Sequence, residues 1–338
     1  MKSFKSLPVL VLFAGLITAV ASRFFTSFAG NPPVRAFEFT YLTKIPAVSA
    51  SATTSRVWIP LPQSGPYQVV RNLKIEAAFP YVKQREPEYE NEYLYLQIPA
   101  AKLSQAAEIR VTFQAARQEH RVSLLTPLAN SQGPSQAPLD LQRFLQPDRL
   151  VPLQGVIAEL SSQQTRTLTD PLAKARAIYN YVLATMRYDK SGTGWGNGDA
   201  VWACTSKRGN CTDFHSLFIG MMRAAGIPAR FEIGFPLPLD RHDGPIPGYH
   251  CWAEFYVQPY GWIPVDASEA WKHPDQKDYF FGAHDDNRLQ FTTGRDIRLE
   301  PPQQGAALNY FIYPYAELDG QPLALESSFS FRDQNSAN

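Results

Sequence analysis

The hydrophobic period of this chain changes along its length, and that change limits the layers it can build. From residue 34 to about residue 125, apolar side chains recur at every second position, as in Phe37, Phe39 and Tyr41. This is the period of a strand with one buried face. Similar short runs at 56–60, 69–75, 93–98, 109–113 and 121–125 are separated by proline and polar clusters. They predict an all-β, sandwich-like domain over residues 32–126. Residues 127–140, dominated by Pro, Ser, Gln, Asn and Gly, read as a linker. Beyond it the period lengthens. Asp170-Pro171 opens a helix in which Leu172, Ala175, Ile178, Tyr179, Val182, Leu183 and Met186 share a face. Residues 191–199 contain four glycines and read as a flexible loop. A second helix begins at Cys211, buries one stripe through Phe214, Leu217, Phe218, Met221, Met222 and Ala225, and stops at Gly226 and Pro228. Strand-like segments follow at 229–235, 249–257 and 261–266. Helices first and strands after give an α+β layout for a second domain over residues 141–287. Residues 288–338 form a β-rich extension that packs on the core or extends a sheet.

A chain of 338 residues with 44% hydrophobic residues can bury a core large enough for two domains. Basic and acidic residues balance, 32 against 31, which argues against nucleic acid as a partner. The start differs in kind. Lys2 and Lys5 precede an apolar run over residues 7–21 that ends in Ala19-Val20-Ala21, a small-residue cleavage pattern. Residues 1–21 therefore read as an export signal, and the expected location is periplasmic or secreted. The alternative is a retained segment giving membrane attachment, although about 15 apolar residues fall short of the roughly 20 needed to span a bilayer. Three cysteines, an odd number, exclude a disulfide framework as the basis of the fold.

Cys211 lies in the first turn of its helix, after Asn210 as N-cap and before Asp213, which is positioned to cap back. A thiol of ordinary pKa, roughly 8.5, is mostly inert at neutral pH, and a helix N-terminus favours the nucleophilic thiolate. A single cysteine is more often a small buried hydrophobe, so its partners decide. His250 is the candidate base and Asp266 the group that fixes its tautomer. Alternation along Tyr249-His250-Cys251-Trp252 points Cys251 away from His250, so only one of the two neighbours is expected to serve the site. In the simplest hairpin register Val257 pairs with Trp262, and Asp266 falls opposite Ala253. That puts Asp266 and His250 about 10 Å apart and on the wrong parity. A bulge or a shifted register is needed to join them.

Gly209-Asn210-Cys211, Leu217-Phe218, Arg223-Ala224-Ala225-Gly226-Ile227-Pro228-Ala229-Arg230, Tyr249-His250-Cys251-Trp252-Ala253-Glu254, and Gly261-Trp262 with Asp266 together resemble the core of the transglutaminase-like superfamily, bacterial branch. The match covers roughly residues 150–270. The resemblance implies a papain-like α+β fold with Cys211 as nucleophile, His250 as base and Asp266 as orienting acid, and offset strands that resolve the register problem. Animal transglutaminases take an oxyanion donor from the tryptophan of an Arg-Trp-Asp run. The similar run here is Arg187-Tyr188-Asp189, which nominates Tyr188, with Trp202 as a second candidate. The i, i+4 pair Cys211 and His215, with His250 and Cys251, has zinc-ligand residue types, but the triad accounts for the Cys and His without metal. His215 reads instead as a packed supporting residue. Asp285-Asp286 invites a calcium reading and is expected to be a solvated turn. No metal and no cofactor are expected. The implied activity is attack on Gln side-chain or peptide amides of a protein or peptide substrate through a thioester, with transfer to amine or water: a transglutaminase, deamidase or cysteine peptidase. Residues 236–248 are a candidate substrate-facing rim. The alternative is a catalytically silent transglutaminase-like scaffold that binds protein.

Overall fold

Strands β1 (Val34–Ile45), β2 (Thr54–Pro60), β3 (Gln68–Ala77), β4 (Val82–Arg85), β5 (Glu92–Pro99), β6 (Ala107–Gln118) and β7 (His120–Arg121) come first. In β1 and β6 the alternation read from the sequence is the burial pattern, every second residue being inward from Phe37 and from Ile109, whereas β2 and β5 are buried at consecutive positions. The chain continues through α1 (Val156–Thr165), α2 (Pro171–Thr185), β8 (Arg187–Tyr188), α3 (Ala200–Ser206), β9 (Arg208–Gly209) and α4 (Cys211–Ala224). Then come β10 (Ala229–Pro236), β11 (Asp243–Ile246), β12 (His250–Val257), β13 (Gly261–Val265) and α5 (Ala267–Lys272). The last strands are β14 (Ala283–His284), β15 (Arg288–Thr293), β16 (Tyr315–Leu318), β17 (Gln321–Pro322) and β18 (Glu326–Asp333). The structure is a computed structural model and describes residues 32–49, 51–124 and 141–334. The export signal expected at 1–21 and the linker expected at 127–140 lie outside the described residues. Among the described residues no helix is long and apolar enough to cross a membrane.

Two five-stranded sheets, ordered β11-β18-β1-β6-β3 and β17-β16-β2-β5-β4, form the sandwich. Phe37, Phe39, Tyr41, Val111 and Phe113 of one sheet share an apolar cluster with Val57, Ile59, Leu94 and Leu96 of the other. The C-terminal strands belong to both sheets: β18 lies between β11 and β1, with Phe331 opposite Phe39, and β16 pairs with β2, with Tyr315 opposite Trp58. A four-stranded antiparallel sheet, β13-β12-β10-β15, carries α4 on one face, and the other helices surround α4. The result is an α+β fold with sandwich-like sheets, and Pro33–Asn338 form one compact unit.

One expectation is corrected here. Helix α4 does not bury a single stripe; every residue from Cys211 to Arg223 is buried. Its polar residues find partners far away in sequence. The Arg223 guanidinium donates to Asp148 at 2.8 Å and to the Ala229 carbonyl at 2.9 Å, and Ser216 accepts from Arg295 at 2.7 Å. Buried polar groups persist when they are hydrogen-bonded in this way.

The sandwich meets the core sheet through aromatic rings. Phe235 of β10 lies 5.3 Å from Phe39, 5.1 Å from Phe291 and 4.3 Å from Phe329 between centroids. Phe235→Ala is expected to cost about 3–5 kcal/mol, the usual range for truncating a buried ring. Urea unfolding should show one transition at lower denaturant; loss of one half of the signal alone would mean that the two layers unfold independently.

Candidate active site

The N-terminus of α4 is built to hold a thiol. Asn210 Oδ1 accepts the Thr212 N–H at 2.9 Å, and Asp213 Oδ2 accepts the Asn210 N–H at 2.9 Å, the reciprocal capping box expected from the sequence. Gly209 has φ +149°, and a Cβ there would lie 2.2 Å from Asp213 Oδ2, so only glycine fits. The glycine-rich segment before α3 is pinned to the same acid, not flexible: Gly196 and Gly198 donate their N–H groups to Asp213 at 2.7 and 3.0 Å.

His250 opens β12 opposite Gly234 of β10. In β12 and β13, Val257 pairs with Gly261 and Ala253 with Val265, one residue away from the simplest register. The cause is the three-residue turn before Gly261, which takes φ +77° to re-enter the ladder. The shift restores parity, and Asp266, just past the end of β13, reaches His250: Nε2 lies 2.7 Å from Asp266 Oδ2. The carboxylate is buried and fully partnered. Oδ2 also accepts from Arg288 Nη1 at 3.1 Å, and Oδ1 accepts from Ser268 Oγ and the Glu269 N–H at 3.0 Å each. Asp266 is thus also the N-cap of α5.

Electrostatics follow from these contacts. Burial alone would raise the Asp266 carboxyl, but the charge and hydrogen bond of His250, with the Arg288 charge, hold it well below the usual carboxylate range. Burial would lower His250, and the charge and hydrogen bond of Asp266, with the Cys211 contact, push it up to about 10. For Cys211 burial opposes ionisation. Hydrogen bonds with Cys251 and His250 and the His250 charge overcome it and lower the thiol well below its ordinary value. Both shifts favour a thiolate beside an imidazolium oriented by a carboxylate.

Several neighbours were not foreseen. Cys251 does face the α4 side, with its sulfur 3.6 Å from Thr212 Oγ1 and 3.9 Å from His215 Nδ1, but it also hydrogen-bonds with Cys211. Both His250 and Cys251 therefore border Cys211, which corrects the expectation that only one of them would. Tyr249 donates to, or accepts from, Thr212 Oγ1 at 2.9 Å and accepts from Asn210 at 3.2 Å; its ring packs on Tyr310 and Tyr313. Its place directly before His250 was the available signal. Asp285 is not a solvated turn: it holds Arg288 at 2.9 Å, and Arg288 holds Asp266. The i, i+3 spacing of Asp285 and Arg288 was legible but was not linked to Asp266.

The remaining sequence candidates differ in how near they lie to Cys211. Tyr188 lies directly opposite Gly209 in the β8–β9 pair, under Lys272 at 4.2 Å from its ring; burial first and then the Cys211 charge raise its phenol, so it stays a hydroxyl donor. The Trp202 indole packs on Gly194, where a Cβ would lie 2.6 Å from Nε1. His215 has both nitrogens engaged: Nε2 accepts the Ala267 N–H at 3.1 Å, so Nδ1 donates to the Cys211 carbonyl at 2.8 Å. That neutral ring is a strut under the thiol's own residue. Of the 236–248 rim, Asp243–Ile246 is tied into the sandwich as β11, while Leu239 stands 80% exposed.

A buried thiol, imidazole and carboxylate on a helix tip and an antiparallel sheet define the papain-like α+β class of protein. Residues 158–267 match the family model described as Transglutaminase-like superfamily. The chain is 29% identical over 331 residues to an uncharacterized protein of Haemophilus influenzae, covering 87% of this chain and 88% of that one. Its fold is similar to that of a proposed cysteine protease from Cytophaga hutchinsonii, with TM-score 0.59 at 16% identity over 90% of this chain and 99% of the other. The periplasmic domain of TgpA from Pseudomonas aeruginosa is a looser likeness, with TM-score 0.38 at 16% identity over 74% of this chain and 91% of that one. The matched residues 158–267 include Cys211, His250 and Asp266.

The charges set a pH signature. The stabilisation of the His250 imidazolium is present in full below its ordinary 6.5 and is lost as pH rises through about 10. Iodoacetamide should label Cys211 well ahead of Cys204 and Cys251, whose thiols burial raises, at a rate flat through the neutral range. In Asp266→Asn the rate should instead climb with pH like that of an ordinary thiol. Peptide mass spectrometry reads both; equal, slow labelling of all three cysteines would remove the nucleophile.

Proposed function

We propose that this protein is an exported cysteine enzyme that opens amide bonds through a thioester at Cys211. The observation that carries the reading is the short bond from His250 to a fully partnered Asp266 beside Cys211 at the capped start of α4. The Cys211 thiolate attacks the amide carbonyl carbon. His250, a proton donor through the ring nitrogen not bound to Asp266, protonates the departing ammonia or amine as the C–N bond breaks. An incoming amine or water then gives its proton to His250 and displaces the thiolate, leaving a new amide or an acid. The two outcomes differ in whether the bound acyl-enzyme admits an amine ahead of water. The developing oxyanion takes the Cys211 backbone N–H and the Tyr188 hydroxyl as donors. Protein or peptide amides, Gln side chains included, are the substrate class, and the aromatic group Tyr249, Tyr310 and Tyr313 supplies apolar surface beside the thiol.

The test is mass spectrometry of a peptide library with and without an added primary amine, wild type against Cys211→Ala. Amine-dependent adducts, deamidated side chains or cleaved bonds that require Cys211 support the reading and name the acceptor. Their complete absence would leave a protein-binding scaffold. Tyr188→Phe should lower kcat on the order of a hundredfold with KM little changed, as for loss of one oxyanion donor. Export rests on Lys2, Lys5 and residues 7–21. Protein isolated from intact cells should begin just after Ala21, whereas retention of Met1 would indicate an anchored form.

A further inference from the structure

A second set of ionisable side chains lies where the sandwich meets the core, away from Cys211. The short strands β7 and β14 pair so that His120 and His284 stand directly opposite each other. Glu254 of β12 approaches them, and one potential ligand atom from each of the three residues lies within 4.8 Å of the others. All three are buried, at 2, 3 and 0% exposure for His120, Glu254 and His284. Other buried polar groups around α4 are hydrogen-bonded, but three of the four ring nitrogens of these imidazoles are not. Neither ring nitrogen of His284 has a hydrogen-bond partner, and His120 Nδ1, though 3.1 Å from Glu254 Oε1, does not meet it in hydrogen-bonding geometry. A neutral imidazole carries one N–H and one lone pair, so His284 leaves both a buried donor and a buried acceptor without a protein partner. That is unusual in a folded interior.

The surroundings fix these groups. The His120 ring stacks on Tyr67 at 3.7 Å and 14°, and His284 packs edge-on against Trp252 at 5.7 Å. Arg230 occupies Glu254 Oε2 at 2.5 Å, which turns Oε1 toward the histidines. Of the nearby cations, Arg230 also pairs with Glu232 and Arg288 with Asp285. Arg117, buried beside them with its Nε unpartnered, disfavours a hard cation held only by charge. Two imidazole nitrogens and one carboxylate oxygen are instead the donor set of a borderline ion bound through directed bonds.

We propose that His120, Glu254 and His284 form a zinc-binding site, with one ring nitrogen from each histidine, Glu254 Oε1 and a water as ligands. It differs from the Cys211, His215, His250 and Cys251 set considered from the sequence, in which both His215 nitrogens are occupied. The ion would clamp residue 120, at the end of the sandwich strands, to the core sheet at 254 and to the strand at 284. The site is independent of the amide chemistry at Cys211.

The full chain, stripped with a chelator and reloaded with Co(II) as a spectroscopic substitute for zinc, tests this. One cobalt per chain is expected, with visible ligand-field bands of a four-coordinate nitrogen and oxygen site and no near-ultraviolet thiolate charge-transfer band. Cys211→Ala should give the same spectrum, His284→Gln should lose it, and added zinc should displace the cobalt and raise Tm of the wild type but not of His284→Gln. Failure of the folded wild-type chain to retain either metal would overturn the site, as would a thiolate band that disappears in Cys211→Ala. The wild-type and Cys211→Ala spectra decide the matter even if His284→Gln does not fold.

Discussion

A carboxylate at the junction of three elements organises the site. Asp266 follows β13, caps α5 and receives four donors, one from β12, one from β15 and two from the first turn of α5. An ionised group this deeply buried without partners would cost several kcal/mol, and removing one partner from such a pair typically costs roughly 3–5 kcal/mol. The fold therefore has to deliver His250 and Arg288 to one point. That requirement ties together the β12–β13 turn, the β10–β15 pairing and the approach of α5 to α4. The imidazole is oriented as a by-product of the same convergence, and Arg288 is held in turn by Asp285. Chemistry and packing at this point are the same set of bonds.

The same logic extends along α4. The helix is enclosed, yet it carries Asp213, His215, Ser216 and Arg223. Each contacts a segment outside the helix: the glycine loop, the start of α5, Arg295, and Asp148 with the Ala229 carbonyl. Apolar residues on the helix supply burial, and these polar residues supply direction, because a misplaced partner leaves a buried group unpaired. The thiol sits at the end of the element with the most such constraints.

How much of this was legible in the sequence follows from the range of each signal. Alternation in β1 and β6 and the caps of α4 are local, and Phe37, Phe39, Asn210, Asp213 and Gly226 announce them. The order of Cys211, His250 and Asp266 was legible through the motifs around them. The β12–β13 offset was implied only by the family resemblance; residue counting alone missed it, because it turns on one residue, Gly261, taking a left-handed conformation. Nor was the burial of α4 on all sides: Arg223 and Ser216 read as a solvated face until Asp148 and Arg295 are brought to them. The pairing of β16 and β18 with strands near the start of the chain was equally hidden, since a strand's period is the same whatever it pairs with. Cys251 was misjudged because alternation describes directions along a flat strand and takes no account of a helix tip that both neighbours reach.

The position of β18 bears on when the molecule can take shape. The strand fills the gap between β11 and β1, and Arg35 is bonded to Asp333 across a separation of 298 residues. A ribosome delivers those two residues 298 positions apart, so the first sheet keeps an open edge at β1 until β18 has been made. Closing so distant a pair makes folding late and slow relative to chains rich in local contacts.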